Sequence, residues 1–300
     1  MILFCGDPRM PLRLIKTREL LVFLSPLLVF VAVIYYGVGW NFWLSLTSYS
    51  IYRPVLEFVG LNTYAQLFSD PDFVNALVRT LAWALLLVLG GNVLGLVIAS
   101  SIFQLRSSKL RSVLTSYFIY PMAVPLVASG VIWRWLFDSV KGFNAVLAPL
   151  GFPRVEWLSG NNAFWSLVLV SLWVYSGFVA LMYLAAFYNV PASAIEAALV
   201  DGADMLTVMV KIVIPASKLG LILGVVFSTL FALQMFDLPY SVLYINPFTS
   251  TLVMYLYNKF AYMVFNLSAA ACIFLIALSA SIAIPYSTYG LRKWILGVVR

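Results

Sequence analysis

The stretch "LAWALLLVLGGNVLGLVIAS", residues 81–100, decides the fold class of this chain. It contains no charged residue and only one amide side chain, Asn92. A helix needs about 20 mostly apolar residues to cross a bilayer core of about 30 Å, whereas a barrel strand needs about ten, with polar and apolar positions alternating. The length of the stretch and the absence of alternation predict a membrane-spanning helix, and therefore an all-α integral membrane fold.

Five further apolar runs accompany this one along the chain. Of the 300 residues, 63% are hydrophobic and 10% are charged, while soluble domains carry about 25% charged residues. Closed helices are expected because the bilayer core offers no water to unpaired backbone groups. Pro121 and Pro125 interrupt the third run and predict a bend there. The six predicted spans are roughly 20–46, 80–103, 113–137, 164–187, 219–236 and 265–289.

The distribution of Lys and Arg predicts the orientation in the membrane. Twelve of the eighteen fall on one side if the N-terminus is cytoplasmic, and basic residues favour that side. We expect a cytoplasmic N-terminal segment 1–19, a six-helix transmembrane domain 20–289 and a cytoplasmic tail 290–300, in a multi-pass protein of the cell (inner) membrane. Nucleic-acid binding does not explain the net charge of +7, because the basic residues adjoin helix ends. The twelve are Arg9, Arg13, Lys16, Arg18, Arg106, Lys109, Arg111, Lys211, Lys218, Arg292, Lys293 and Arg300.

Groups that carry catalysis are scarce in this composition. The chain has no His and only two Cys, Cys5 and Cys272, which argues against histidine metal sites and a disulfide framework. An intramembrane enzyme would lack an acid, a base and metal ligands. The phosphate-binding pattern G-x-x-x-x-G-K-[ST] is absent. We expect no catalytic, metal-binding or cofactor-binding residue in this chain.

An acidic island, "EAALVDGAD" at residues 196–204, interrupts the apolar chain. Pro191 suits the first turn of a helix, and Ser193 and Glu196 have the spacing of a capping box. Gly202 can end the helix in the left-handed conformation. These features predict a short helix in the cytoplasmic connection between the fourth and fifth spans.

The rest of this connection, residues 188–218, predicts a second helix. Asp204 is placed to cap it, and Pro215 is expected to end it. Ile195 and Leu199 form an apolar stripe on the first helix that needs a cover. Local spacing alone leaves two interpretations open: a capped loop lying on the lipid surface, or a helix that docks into a groove of another protein.

The motif in this connection resembles a known family. The E-A-A-x-x-D-G-A pattern, followed by I-x-x-P, resembles the "EAA" signature of permease subunits of ATP-binding-cassette (ABC) importers. The resemblance implies a type I importer permease whose coupling helix sits in a cleft of the ATPase subunit, and it implies that this ATPase binds ATP and Mg²⁺. Met209 and Leu219 depart from the Phe and Pro that are common in the family. The implied ATPase-coupling residues are Glu196, Ala197, Ala198, Asp201, Gly202, Ala203, Ile212 and Pro215.

Nearly the whole chain resembles the first permease of the maltose-type carbohydrate importers. The resemblance is carried by "FVGLNTYAQLFSDPDFVNAL" (58–77), "GVIWRWLFDSVKGFNAVL" (130–147) and "LQMFDLPYSVLY" (233–244). The usual glycine-rich segment after the last stretch is replaced by "INPFTST" (245–251). The family implies four kinds of partner: a second, paralogous permease, a dimeric ABC ATPase, an extracellular or periplasmic sugar-binding protein, and membrane lipid.

A path for a neutral sugar should combine aromatic faces with uncharged hydrogen-bonding groups. The fourth and fifth spans supply both, and maltose-type permeases place their sugar site between these spans. Helix packing is the competing explanation for each residue, and Gln234 is favoured because a buried amide in lipid needs a partner. The predicted path residues are Trp173, Tyr175, Phe178, Ser228, Phe231 and Gln234.

Three other functions remain as alternatives. An ion-coupled secondary transporter would need ionisable residues near the middle of the spans, and none is found there. A docking scaffold would keep the acidic island but not the aromatic and amide path. An ABC permease for a non-sugar solute, such as a polyol phosphate, would share every feature except the neutral path.

Overall fold

The computed structural model describes residues 17–298, with side chains for residues 24–285. Regular structure in this range is helical, apart from two isolated β-bridges that close the loop after the first helix. Most of the predicted segment 1–19, with Cys5, lies outside the described residues. The helices are α1 (Thr17–Ser45), α2 (Asn62–Ser69), α3 (Pro71–Phe103), α4 (Ser108–Ala123), α5 (Leu126–Leu136), α6 (Gly142–Leu147), α7 (Gly160–Phe187), α8 (Ala192–Val200), α9 (Met205–Val208), α10 (Ile214–Ala216), α11 (Lys218–Leu233), α12 (Asp237–Leu243), α13 (Leu252–Ala261) and α14 (Phe265–Val298).

Membrane spans fall into two kinds. In the described range, four helices are long and apolar enough to cross a membrane: Leu24–Ser45 of α1, all of α3, all of α7, and Phe265–Pro285 of α14. Two bent pairs supply the others, α4 with α5 at 94° and Met205–Ala216 with α11 at 73°. The all-α membrane fold is confirmed, and the six-span prediction agrees with the structure if each bent pair crosses once.

Two span boundaries differ from the prediction. α3 begins at Pro71 rather than near residue 80, because the Asp70 carboxylate accepts a hydrogen bond from the Asp72 amide (2.9 Å) and caps the helix outside the apolar run. α14 continues through Pro285 to Val298, so the helix extends past residue 289 into the predicted tail. Apolar patterning locates the membrane core and not the helix ends, which depend on capping.

The bend in the third span lies at Val124 and Pro125, between α4 and α5. Pro125 precedes the first residue of α5, where its missing N–H leaves no gap in the hydrogen-bond ladder, and Pro121 lies in the last turn of α4. The residue before a proline avoids the helical conformation, which agrees with the extended dihedral angles of Val124 (φ −77°, ψ 130°). The predicted bend is confirmed.

The core of the fold is built around α7, which packs against α3, α4 and α11. The close approach of α7 to its neighbouring helices depends on glycine residues. A Cβ atom on Gly95 of α3 would lie 2.7 Å from Cγ1 of Val179, and one on Gly177 of α7 would meet the backbone oxygen of Phe118. In contrast, α1 contacts mainly α14 and leaves most of its apolar surface uncovered by this chain.

Candidate functional site

The acidic island forms a short helix with a well-defined end. Gly202 takes a left-handed φ of +85° directly after α8. The Ala203 amide donates to the carbonyl of Ala198 (3.0 Å), and the Gly202 amide donates to that of Leu199 (3.1 Å). This pair of bonds is the Schellman motif. The predicted left-handed end at Gly202 is confirmed.

The start of this helix differs from the prediction. Pro191 occupies the N-cap position with extended dihedral angles (φ −56°, ψ 127°), and no side chain caps the helix. Ser193 therefore lies inside α8, where its hydroxyl cannot act as a cap for the amides that follow. The capping-box prediction for Ser193 and Glu196 is wrong because the N-cap is Pro191, two residues before Ser193.

The second helix begins as predicted but does not end at Pro215. Asp204 precedes α9 in the N-cap position. The helix then continues through a π-helical turn at Met209–Val213 and through α10 to a bend at Ser217. A proline ring inside a helix clashes with the carbonyl four residues earlier, and the wider π-helical turn directly before Pro215 relieves that crowding.

The predicted apolar stripe divides between two faces of the island. Ile195 packs inward with Ala198 on a cluster that includes buried Phe187. Leu199 is exposed, and Val200 beside it is 87% exposed. This chain itself therefore covers part of the predicted stripe, at Ile195, and leaves Leu199 uncovered. The tip still presents uncovered apolar side chains next to exposed carboxylates of Glu196 and Asp201.

The island is anchored where its two ends meet. The Ser217 hydroxyl, which is almost fully buried, donates to the carbonyl of Ala186 (3.3 Å). A Cβ atom on Gly220 would meet the side chain of Ala186, so α11 starts in close contact with the end of α7. Since both ends of the loop are held together, a force on its tip would act on α7 and α11 at once.

The eight implied coupling residues lie on this one projection. Glu196, Ala197 and Asp201 are exposed, and Ala198 and Ala203 are half-buried at the back of α8. Ile212 packs partly buried against the same cluster, whereas Pro215 is exposed on the following helix. The structure brings the motif together, and its role in coupling stays a prediction.

Three of the six predicted path residues form one aromatic cluster between α7 and α11. The rings of Tyr175 and Phe231 are stacked with their centroids 4.9 Å apart, and Phe178 meets Phe231 edge-on at 5.5 Å. Phe227 extends the cluster against Phe178 at 6.0 Å. The sequence analysis missed Phe227, although it lies one helical turn before Phe231 and therefore on the same face.

The other three predicted path residues lie elsewhere. Trp173 is exposed and meets Trp133 of α5 edge-on at 5.3 Å. Ser228 is fully buried, and Gln234 is exposed at the end of α11 rather than buried. The expectation that Ser228, Phe231 and Gln234 share one face is wrong, because spacings of three residues rotate around a helix.

Ser228 belongs to a polar bridge between helices. The Asn92 amide nitrogen donates to the Ser228 hydroxyl at 2.9 Å, and the Tyr183 hydroxyl donates to the Asn92 side-chain oxygen. Three helices, α3, α7 and α11, are thus joined in their apolar contact. This arrangement agrees with the sequence-level alternative of helix packing, which is a common use of polar side chains in membrane helices.

An ion pair lies at the N-terminal end of α3, opposite the acidic island. The Lys259 ammonium lies 2.7 Å from the Asp70 carboxylate, and the Tyr255 hydroxyl donates to the same oxygen at 2.7 Å. Burial by itself raises the pKa of Asp70, but the hydrogen bonds from Lys259 and Tyr255 outweigh it and hold that pKa below its ordinary value. Lys259 is not among the twelve basic residues assigned to the cytoplasmic side, and the sequence does not reveal its pairing with Asp70, because a contact across 189 residues leaves no local signal.

A family model described as "Binding-protein-dependent transport system inner membrane component" matches residues 91–293, which include α7, the acidic island and α11. The chain belongs to this family. Among curated proteins, this permease is 35% identical to the glucose import system permease protein GlcT of Saccharolobus solfataricus, over 92% of this chain and 97% of that one. It is also 30% identical to the trehalose/maltose transport system permease protein MalF of Thermococcus litoralis, over 90% and 92% of the two chains.

Solved structures share the fold of this permease. A bacterial alginate ABC transporter, in complex with an alginate pentasaccharide-bound periplasmic protein, contains a chain that matches with a TM-score of 0.80. The match covers 92% of this permease and 95% of that chain at 20% sequence identity. The expected architecture of an ABC importer permease is therefore confirmed, and substrate and partners require separate arguments.

Proposed function

We propose that this permease imports a sugar by alternating access, driven by ATP hydrolysis on a partner ATPase. The observation that carries the proposal is the acidic island, whose ends join α7 and α11, the same two helices that hold the aromatic cluster of Tyr175, Phe178 and Phe231. A movement of the island would change the contact between the two helices that hold the cluster. ATP chemistry and substrate binding are thus linked through one rigid connection.

The sugar is supported by chemistry and by similarity. Stacked aromatic rings suit the apolar faces of a sugar. The cluster's own side chains are uncharged, and the charge that acts on Tyr175 is the carboxylate of Asp237, which would disfavour an anionic solute. The similar proteins named above are glucose and trehalose/maltose permeases, and a 34% identical relative from Agrobacterium fabrum is a sulfoquinovosyl glycerol permease. We infer a mono-, di- or oligosaccharide as the substrate class.

The partners follow from what this chain lacks and what it exposes. Since no phosphate-binding loop is present in the sequence, ATP and Mg²⁺ would be bound by a dimeric ABC ATPase that receives the island. A second permease, expected to be a paralogue, would cover the outer surface of α1, and an external sugar-binding protein would deliver the substrate. The excess of basic residues on one side supports cytoplasmic termini.

Transport into proteoliposomes tests the proposal. The permease is reconstituted with its candidate permease, ATPase and binding-protein partners, and uptake of labelled glucose, trehalose and maltose is compared with that of glycerol 3-phosphate. We expect uptake of a sugar that requires ATP and the binding protein and that ionophores do not abolish. Preferential uptake of the polyol phosphate would overturn the sugar assignment, and uptake driven by an ion gradient without ATP would overturn the ABC mechanism.

A further inference from the structure

A second cavity, separate from the aromatic cluster, lies between the start of α4 and the end of α7. Its volume is about 350 Å³. One side is polar and consists of the guanidinium of Arg111 and the hydroxyls of Ser108, Ser112 and Ser116, with Tyr188 at the edge. The three serines follow one another at intervals of four residues, so they lie along one face of α4.

The cation in this cavity has no counter-charge. Arg111 donates from Nη2 to the carbonyl of Leu105 (2.6 Å), and its guanidinium carbon lies 5.6 Å from the ring centroid of Tyr188. Its Nε atom is buried and has no hydrogen-bond partner. Among the side chains that the structure describes, no carboxylate lies within 4 Å of Arg111. A partly buried charge with an unused donor is unfavourable unless an anion binds it.

The polar groups here are donors suited to a phosphate. A guanidinium binds phosphate oxygens through its planar fork of N–H groups, and serine hydroxyls donate to the remaining oxygens. The hydroxyls of Ser108, Ser112 and Ser116 make no hydrogen bond within the described part of the chain, so they are available. A neutral sugar would leave the charge of Arg111 uncompensated, which separates this cavity from the proposed sugar path.

The other side of the cavity is apolar and indicates where the phosphate comes from. Leu181, Leu184 and Ala185 of α7 line it, one to two turns before the end of that helix at Phe187. The ends of α3, α4 and α7 meet here, and the Phe103 and Tyr188 rings lie 5.5 Å apart. A charged rim with an apolar wall at a helix end matches a phospholipid, whose headgroup lies at the membrane surface and whose acyl chains extend inward.

We propose that this cavity binds the phosphate headgroup of an anionic phospholipid, through Arg111 and the serine face of α4. Arg106 and Lys109, in and just after the connection before α4, add positive charge close to the cavity and favour an anionic over a zwitterionic headgroup. The bound lipid would brace the end of α7 next to Tyr188, where the connection to the acidic island begins. The inference requires a helix end at a membrane surface but not sugar transport, so it can fail or hold independently of the proposed function.

Lipid binding to the full-length chain tests the proposal. The delipidated permease in detergent, in phosphate-free buffer, is titrated with phosphatidylglycerol, phosphatidylcholine, diacylglycerol or inorganic phosphate, and the bound species are counted by native mass spectrometry. We expect phosphatidylglycerol to bind most tightly. Arg111→Gln should weaken that binding about tenfold, which is the loss expected for one charge-assisted hydrogen bond.

Matched variants distinguish lipid binding at this cavity from a general effect of positive charge and from misfolding. Lys109→Gln removes one positive charge outside the cavity and should change the affinity less than Arg111→Gln does. Ser112→Ala, at an exposed hydroxyl, should weaken binding without a change in Tm, so the test does not depend on one variant that misfolds.

Three results would overturn the lipid assignment. Equal phosphatidylglycerol binding by the wild type and by Arg111→Gln would exclude a role for the cavity. Tight inorganic phosphate binding without lipid preference would assign the site to a free anion. Loss of ATPase association in Arg111→Gln, with lipid binding unchanged, would assign it to a carboxylate of a partner protein.

Discussion

Asp70 and Lys259 form an ion pair of 2.7 Å that ties the first residue before α3 to the last turn of α13. Tyr255 donates to the same carboxylate from one turn earlier in α13. The pair therefore fixes α13 against the N-terminal end of α3, at the end of the molecule opposite the acidic island. It is also a part of the structure that responds directly to pH.

Acidification should weaken this link. The pKa of Asp70 is held below its ordinary value, so its stabilising effect is fully present above the unfolded-state pKa of about 3.9 and is lost as pH falls through the lower folded-state value. Asp70→Asn should lower the stability at neutral pH by about 1 kcal/mol, a modest value because both groups are partly exposed to water.

The measurement is Tm of the wild type and of Asp70→Asn between neutral and acidic pH. The difference between the two proteins should shrink at the acidic end of the range. Glu57→Gln, at an exposed carboxylate without an ion pair in the described structure, is the control and should show no such trend. A difference that stays constant as Asp70 becomes protonated would contradict the assigned role.

The polar bridge through Asn92 should stabilise the contact of three helices. Asn92→Leu would leave the buried Ser228 hydroxyl and the Tyr183 hydroxyl without this partner, which is expected to destabilise the protein by about 1–3 kcal/mol. A double-mutant cycle with Ser228→Ala, measured by thermal unfolding in detergent, should show less than additive losses. Additive losses would mean that the two side chains act independently.

Substitutions in the aromatic cluster can distinguish a role in the sugar path from a role in helix packing. Tyr175 is only 5% exposed, so a sugar can contact its ring only after α7 and α11 move apart. Tyr175→Ala should raise the substrate concentration for half-maximal uptake about tenfold. A stacked ring contributes about 1 kcal/mol to the binding free energy of the sugar, and the space left by the missing ring adds to the loss of affinity. Tyr175→Phe should retain most of the transport.

Trp165→Ala is the matched control for this prediction, since Trp165 lies on the same helix but is exposed. It should leave the half-saturation concentration unchanged. If Tyr175→Ala lowers Tm and the uptake rate but not the apparent affinity for sugar, the ring serves packing alone.

Most of the fold could be predicted from the sequence because membrane helices have a strong one-dimensional signal. An apolar run such as residues 81–100 reveals the length of its own helix, and Pro125 locally marks the bend in the third span. The predicted positions of helix ends were less accurate because they depend on individual groups, such as the Asp70 cap before α3 and the Pro191 cap before α8.

The predictions for the candidate site show the same difference between features with a local sequence signal and features that depend on distant contacts. The coupling motif lies within 20 residues of sequence, from Glu196 to Pro215, so its residues are found in one connection. The path residues depend on which face of α11 turns toward α7, and Ser228 turned instead toward Asn92 of α3. A helix that is apolar on every side carries no periodic signal for its contacts, and one chain does not show which surfaces a second permease covers.

We propose that the acidic island transmits the energy of ATP hydrolysis to the permease. The most direct measurement is sugar-stimulated ATP hydrolysis by the complete transporter in lipid, for the wild type, Glu196→Lys and the control Glu156→Lys, which lies before α7 and away from the island, each checked for assembly. We predict that Glu196→Lys abolishes the stimulation, because it reverses an exposed charge on α8, and that Glu156→Lys leaves it intact. Unchanged stimulation and transport in Glu196→Lys would contradict the account and reduce the island to a capped surface loop.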